Sequence, residues 1–140
     1  MNKLFRHSLV IGCLLLAPNL AAQVLISHPD NTPIELSKNH LRAIFAMRTQ
    51  QWPDGSEIHV FVLEDSHAVH TDFCKHILGM FPYQLRRIWD RQVFSGTGIS
   101  PIIVKTEAEM LERVSTTKGA IGYITPEKAS SSVKNLGDSL

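Results

Sequence analysis

The chain has 140 residues, of which 44% are hydrophobic, and its 14 Lys and Arg against 13 Asp and Glu give a net charge of +1. This length suits one domain with its own core, because a domain of this size buries roughly two-thirds of the surface that its unfolded chain exposes. The near-neutral charge, without a basic stripe or a charged block, excludes the electrostatic pattern of a nucleic-acid-binding protein.

The N-terminal residues have the three-part order of a secretory signal peptide. Lys3 and Arg6 precede the unbroken apolar or small stretch Leu9–Ala17, and small side chains follow at Leu20 to Ala22. The apolar stretch is too short to span a bilayer. We therefore predict a signal peptide over residues 1–22, a mature chain in the periplasm or outside the cell, and no membrane span.

The positions of the two cysteines bear on how the chain is exported and on whether it can form a disulfide. Val10-Ile11-Gly12-Cys13 resembles a lipobox, so a lipoprotein anchored through Cys13 is the alternative. Only four apolar or small residues precede Cys13 and the apolar stretch continues past it, which favours the signal peptide. Removal of residues 1–22 leaves Cys74 as the only thiol and thus excludes an internal disulfide. A single thiol in an oxidising compartment is typical of a buried cysteine.

Strands and helices are predicted to alternate along the rest of the chain. Short apolar runs indicate strands, and a capping residue before apolar side chains at helical spacing indicates a helix. In chain order we expect a strand at Val24–Ile26, a helix from Ser37 to near Met47, a turn at Trp52–Gly55, a strand at Ile58–Leu63, a helix capped by Ser66 and ended by Gly79, a helix opened by Pro82, a strand at Ile102–Val104, a helix capped by Thr106, a strand at Ala120–Ile124 and a short strand near Val133. The alternation predicts an α/β sandwich with an at least partly parallel sheet.

The helical spacing also predicts which side chains are buried. Trp52 and Trp89 are expected to be core anchors. On the helix capped by Ser66, one apolar face consists of Val69, Phe73, Cys74 and Ile77. On the helix opened by Pro82, the residues expected to face inward are Leu85, Ile88, Trp89 and Val93, and those expected to face mostly outward are Arg86, Arg87, Asp90 and Arg91.

Several short motifs occur in a fixed order along the chain. They are Leu36-Ser37, Leu41–Phe45, Trp52–Ser56, Ser66 at the start of a helix, Phe94–Gly96 and Lys118–Ile124. In this order the motifs resemble the phosphate ABC-transporter substrate-binding family, and in particular its short exported members. The resemblance implies a non-enzymatic binding domain over residues 23–140. Its expected fold is one lobe of a type 2 periplasmic-binding protein, with a mixed sheet of about four to five strands flanked by helices.

The same resemblance implies where a ligand would lie. The family holds phosphate with an Arg and a Ser-Gly-Thr at a helix start, where amides, hydroxyls and the helix dipole favour an oxyanion. Here the corresponding helix opens Ser66-His67-Ala68, so only Ser66 matches, and Val62 or Leu63 stands where the Arg is expected. The resemblance therefore implies weak binding of a small oxyanion such as phosphate by Ser66, His67 and Ala68.

A second loop is also rich in hydrogen-bond donors. Ser95, Gly96 and Thr97 follow the helix opened by Pro82, and their backbone amides are candidates for contact with the same anion. Simpler interpretations remain open for both segments: Ser66 as an ordinary helix cap and the Ser95 loop as a connector.

The sequence gives little support for metal binding or enzymatic activity. His67, His70 and Cys74 lie at i, i+3 and i+7 on one helix, but a structural metal site needs further ligands from another segment, so we expect no metal and no other cofactor. No Walker loop, dinucleotide fingerprint, paired-carboxylate motif or serine-hydrolase elbow occurs, which argues against an enzyme.

Arg86, Arg87 and Arg91 group on the expected outer side of one helix. They form either a solvated face or a docking face for an acidic partner.

The sequence as a whole leaves two functional hypotheses. The chain is either an exported oxyanion-binding lobe or a lobe retained for protein contacts, as an accessory or scaffold protein of the cell envelope. A homodimer is a further possibility.

Overall fold

The computed structural model of the protein describes residues 23–32, 34–96 and 98–136. The predicted signal peptide over residues 1–22, including Cys13, lies outside the described residues, as does Thr97 of the second loop. Within the described ranges, no helix has the length and apolar character that a bilayer crossing requires.

Five strands and four α-helices make up the described fold. The strands are β1 (Val24–Ser27), β2 (His59–Leu63), β3 (Ile102–Val104), β4 (Ala120–Ile124) and β5 (Lys134–Asn135). The helices are α1 (Lys38–Phe45), α2 (Ala68–Asp72), α3 (Pro82–Phe94) and α4 (Glu107–Thr116). After α2 the chain continues as a wider π-helical segment over Phe73–Leu78, and a 3-10 turn lies at Pro126–Lys128.

The strands form one mixed sheet in the order β3-β2-β4-β1-β5. Next to the edge strand β3, β2 runs parallel to both β3 and β4, with Phe61 opposite Ile102 and Val60 opposite Ile121. On the other side β1 runs antiparallel to β4 and β5. The predicted α/β fold with a mixed sheet of four to five strands is confirmed.

Helices cover both faces of this sheet, as the side chains of β4 demonstrate. Successive side chains of a strand point to opposite faces. At Gly122, which faces α4, an added Cβ would lie 2.5 Å from Met110 Sδ. The next residue, Tyr123, faces the other side, where its ring stacks on Phe73 with the centroids 3.8 Å apart. Hence α4 covers one face, while α1, α2, the π-helical segment and α3 cover the other.

Most predicted helix ends and core anchors are confirmed. Ser37 and Thr106 accept hydrogen bonds from the backbone amide three residues later, at 3.2 and 3.1 Å. Gly79 ends the π-helical segment in the left-handed conformation, with φ of 65°. Trp52 and Trp89 are buried, and each indole N–H donates to a backbone carbonyl.

Two predictions about helix geometry are wrong. The helix predicted to be capped by Ser66 begins one residue later, because His67 is the N-cap and its Nδ1 accepts from the amide of Val69 at 3.2 Å. Val93, expected to face inward, is 47% exposed. Leu85 and Trp89 do face the core, but each step of four residues rotates the direction by about 40°, which turns Val93 away from the buried face.

Candidate functional site

The candidate site lies at the carboxyl end of β2. The chain leaves the strand after Leu63, passes through Glu64 and Asp65, and enters α2 at Ala68. Arg86 extends from α3 to the same segment, where its guanidinium meets Asp65. We use the name β2 site for Asp65, Ser66, His67, Ala68 and Arg86.

A two-point ion pair dominates the β2 site. Arg86 Nε donates to Asp65 Oδ2 at 2.9 Å and Arg86 Nη2 donates to Asp65 Oδ1 at 3.0 Å. The side chains are 34% and 39% exposed, so the pair is in contact with solvent. The bond to Asp65 raises the pKa of Arg86, which is therefore a permanent cation. Arg86 thus differs from Arg87 and Arg91, with which the sequence groups it: it remains partly exposed, but the Asp65 carboxylate holds its guanidinium at the end of β2.

The Arg86 guanidinium also packs on the ring of Trp89. Its central carbon lies 5.0 Å from the ring centroid of Trp89, one helical turn away. A guanidinium has five N–H donors, and Asp65 accepts from two of them. The stacked and paired group therefore has a fixed orientation and three further donors for a solvent molecule or an anion.

Behind Asp65 lies a buried network centred on His70. His70 is fully buried, and its Nε2 is 3.7 Å from Asp65 Oδ1 and 3.5 Å from the sulfur of Cys74. Its Nδ1 forms a hydrogen bond with the hydroxyl of Tyr123, which itself accepts from the amide of Leu63 at 2.9 Å. Since the hydroxyl proton is then free for Nδ1, the network favours the imidazole tautomer with its proton on Nε2, toward Asp65.

The buried members of this network are uncharged near neutral pH. Burial lowers the pKa of His70 to about 4, because its charged form loses hydration, although the charge of Asp65 opposes the shift. Burial likewise raises the pKa of Cys74 to about 12 and the pKa of Tyr123 well above its ordinary value. Cys74 is therefore a protonated core thiol, as the sequence predicts, and Asp65 and Arg86 carry the charge at this point of the fold.

At the start of α2, not every backbone donor is available to a ligand. The ring of His67 accepts from the amide of Val69, and the amide of Thr71 donates to the carbonyl of His67. Ser66 and Ala68 are exposed and His67 is half-buried. The remaining groups that could face an anion are the hydroxyl of Ser66, the amide of Ala68 and the free donors of Arg86.

The Ser95 loop, which the sequence predicts as a second contact for the anion, does not lie near the β2 site. The amides of Ser95, Gly96 and Gly98 donate to carbonyls of the last turns of α3, so they close the helix. The loop leads to Ile99 and then to β3 at the amino end of the parallel strands. A five-residue strand separates that end from the β2 site by about 13 Å. The structure thus does not bring the Ser95 loop together with Ser66.

The described residues also include the three side chains that follow one another at i, i+3 and i+7, namely His67, His70 and Cys74. His70 and Cys74 are neighbours in the core, whereas His67 caps α2. In the described ranges no group of three or more His, Cys, Asp or Glu side chains is arranged to hold a metal ion.

The sequence over residues 20–138 matches the model of a family described as the PBP superfamily domain. This chain belongs to that family. A comparison with curated protein sequences gives no match.

Several solved structures have a similar fold. A putative phosphate ABC transporter substrate-binding protein with bound phosphate from Clostridium perfringens has a TM-score of 0.65 and 21% identity, over 81% of this chain and 43% of that one. An ABC-type phosphate transport receptor from Vibrio cholerae has a TM-score of 0.64 and 16% identity, over 81% and 44%. PstS from Borrelia burgdorferi has a TM-score of 0.61 and 19% identity, over 83% and 46%. At these identities the likeness concerns the fold, and this PBP-family chain spans less than half the length of each relative.

The sequence predicts the segment of the candidate site but not the cation beside it. Ser66, His67 and Ala68 do lie at the start of a helix after β2, although the N-cap is His67 and not Ser66. The resemblance implies an Arg near Val62 or Leu63, whereas the cation beside this segment comes from α3, 21 positions after Asp65. The available signal was the i, i+3 spacing of Arg86 and Trp89, which places the guanidinium beside an inward-facing indole.

The hydroxyl of Tyr123 can be tested by replacement with phenylalanine. Tyr123→Phe should lower the free energy of unfolding by about 1–3 kcal/mol, because the buried amide of Leu63 and Nδ1 of His70 lose their partner. Tyr83→Phe is the matched control: its side chain is exposed, so a change within about 0.5 kcal/mol is expected. Urea denaturation of both variants gives the comparison, and equal losses would contradict the role of the network.

The burial of His70 makes stability depend on pH. Its folded-state pKa of about 4 lies below the ordinary value of 6.5, so the unfolded chain takes up a proton first as the pH falls. The stability that depends on a neutral His70 is fully present above pH 6.5. As the pH falls from 6.5 to about 4, the free energy of unfolding decreases by about 3 kcal/mol in total.

Denaturant unfolding at several pH values in this range gives the slope of the free energy of unfolding against pH. His70→Gln should remove most of the slope between pH 6.5 and 4, whereas His40→Gln, at an exposed position of α1, should retain it. A slope unchanged by His70→Gln would contradict the assignment.

Proposed function

We propose that the chain is an exported, non-enzymatic binding lobe that takes a small oxyanion weakly at the β2 site. The observation that carries the proposal is the placement of Arg86. Its guanidinium is fixed by Asp65 and Trp89 at the carboxyl end of β2 and has three further donors, and its partner Asp65 is followed in the chain by the exposed Ser66. A planar guanidinium with paired N–H groups matches the oxygens of an oxyanion.

The relatives support the choice of ligand class. The Clostridium perfringens structure contains bound phosphate, and the Vibrio cholerae protein is a phosphate transport receptor. An Arg from α3 provides this chain with a cation although none stands at Val62 or Leu63. We therefore expect the same ligand class, with the cation supplied by α3 and not by the strand β2, in which Val62 and Leu63 lie.

The charges around the site explain why the binding is weak. Asp65 neutralises Arg86 in part, and Glu64 beside it is exposed and acidic. Two carboxylates next to one guanidinium oppose a doubly charged anion, and this repulsion acts at short range even in salt. We expect a dissociation constant in the millimolar range.

Thermal unfolding with and without ligand tests this function. Phosphate and sulfate, each against sodium chloride of equal ionic strength, should raise the unfolding midpoint by several degrees at about 100 times the dissociation constant. Arg86→Gln should abolish the ligand-induced shift because it removes the paired donors. Arg48→Gln, an exposed loop arginine at the opposite end of β2, should retain it. The proposal fails if neither oxyanion shifts the midpoint of the unaltered protein.

Export is tested separately by N-terminal sequencing of the protein from the periplasmic fraction. A mature chain that begins at Gln23 is expected from the signal peptide, and Cys13→Ser should not change its processing. A mature chain that begins with a lipid-modified Cys13 would instead support the lipoprotein.

A role in protein contacts is the second candidate, and one observation favours it. Phe94 at the end of α3 is 89% exposed, and Arg87 and Arg91 on the same helix are exposed as well. Aromatic residues and arginines are enriched at protein interfaces. The outer side of α3 is the surface on which this candidate rests.

A further inference from the structure

The outer side of α3 carries a regular stripe of four exposed residues. Tyr83, Arg87, Asp90 and Phe94 follow one another at spacings of four, three and four residues. This is the spacing of the contact positions in a coiled coil, so the four side chains lie on one line along the helix. The stripe spans about 16 Å.

Neither end of the stripe is covered within the described part of the chain. Tyr83 is 60% exposed and stacks on Phe81, itself half exposed, with the ring centroids 5.8 Å apart. At the other end Phe94 has the greatest exposure of the large apolar side chains described. Large exposed apolar side chains on one face of a rigid helix mark an interaction surface.

The order of the residues along the stripe indicates its partner. The order is aromatic, basic, acidic, aromatic, and reading it in reverse exchanges the two charges. If a second helix with this sequence lies antiparallel against the first, with the twofold axis midway between Ile88 and Trp89, Tyr83 of one copy faces Phe94 of the other. Arg87 then faces Asp90. The stripe is thus complementary to itself in both charge and apolar character, as a twofold interface requires.

We propose that two copies of this chain associate through antiparallel contact of their α3 stripes. In the dimer the two Arg87–Asp90 pairs lie near the axis and the aromatic rings cover the two ends. The two charges in each stripe cancel, so their burial leaves no net charge at the contact. Arg91 lies at the edge of the stripe, where it is exposed to solvent.

A membrane surface is less favoured as the occupant. Attraction to anionic lipid depends on a cluster of about four to eight cations, whereas α3 offers Arg87 and Arg91 with Asp90 between them. This proposal does not depend on oxyanion binding, since Arg86 is turned toward Asp65 and lies off the stripe.

Sedimentation velocity of the purified protein, from low micromolar to high concentration, tests the proposal. The unaltered chain should show a reversible monomer–dimer equilibrium. Arg87→Asp and Asp90→Arg should each raise the dimer dissociation constant at least ~10-fold, because like charges then face each other twice. The double variant Arg87→Asp/Asp90→Arg should restore the original value within about a factor of three, since opposite charges face each other again.

A charge reversal on the other side of the sheet serves as the matched control. Glu112→Arg, on an exposed position of α4, should leave the equilibrium unchanged. Circular dichroism and the unfolding midpoint of dilute samples verify that every variant is folded. The proposal is overturned if the unaltered protein remains monomeric at all concentrations, whether or not it binds anionic vesicles. It is also overturned if the folded single variants dimerise as the parent does, or if the folded double variant does not recover.

Discussion

The hydroxyl of Tyr123 is the contact on which the arrangement of the site depends. It lies at the centre of the sheet on β4, accepts from the amide of Leu63 at the end of β2, and bonds to His70 of α2. One group therefore connects two parallel strands and the helix that follows one of them. Because a buried polar group without a partner is costly, this connection fixes the direction in which the chain leaves β2. The position of Asp65 follows from it.

Arg86 then links the site to the second helix of the same layer. Its pairing with Asp65 and its contact with Trp89 join the end of β2 to α3. The guanidinium is held in a fixed orientation by groups of the chain itself. The carboxylate that orients Arg86 also neutralises part of its charge.

The sequence predicted secondary structure well where the signal is local. The cap at Ser37 and the helix end at Gly79 both depend on a residue type whose backbone or hydrogen-bonding requirement leaves few alternatives. The start of α2 was misplaced by one residue, because the ring of His67 provides the cap and histidine is not a strong capping residue. The prediction for Val93 is wrong because positions i, i+4 and i+8 are not on one line: each step of four residues rotates the direction by about 40°, so Val93 is turned about 80° from Leu85.

By itself, then, the sequence determined the fold class, the order of strands and helices, and the presence of a helix start soon after β2. These depend on hydrophobic period, capping and turn residues, all of which are short-range properties of the chain. Only the tertiary structure decided which cation lies beside that helix start, and that the Ser95 loop lies at the other end of the sheet. The pairing of Arg86 with Asp65 joins residues from two elements whose packing angle and register arise from the whole core, which no local pattern encodes.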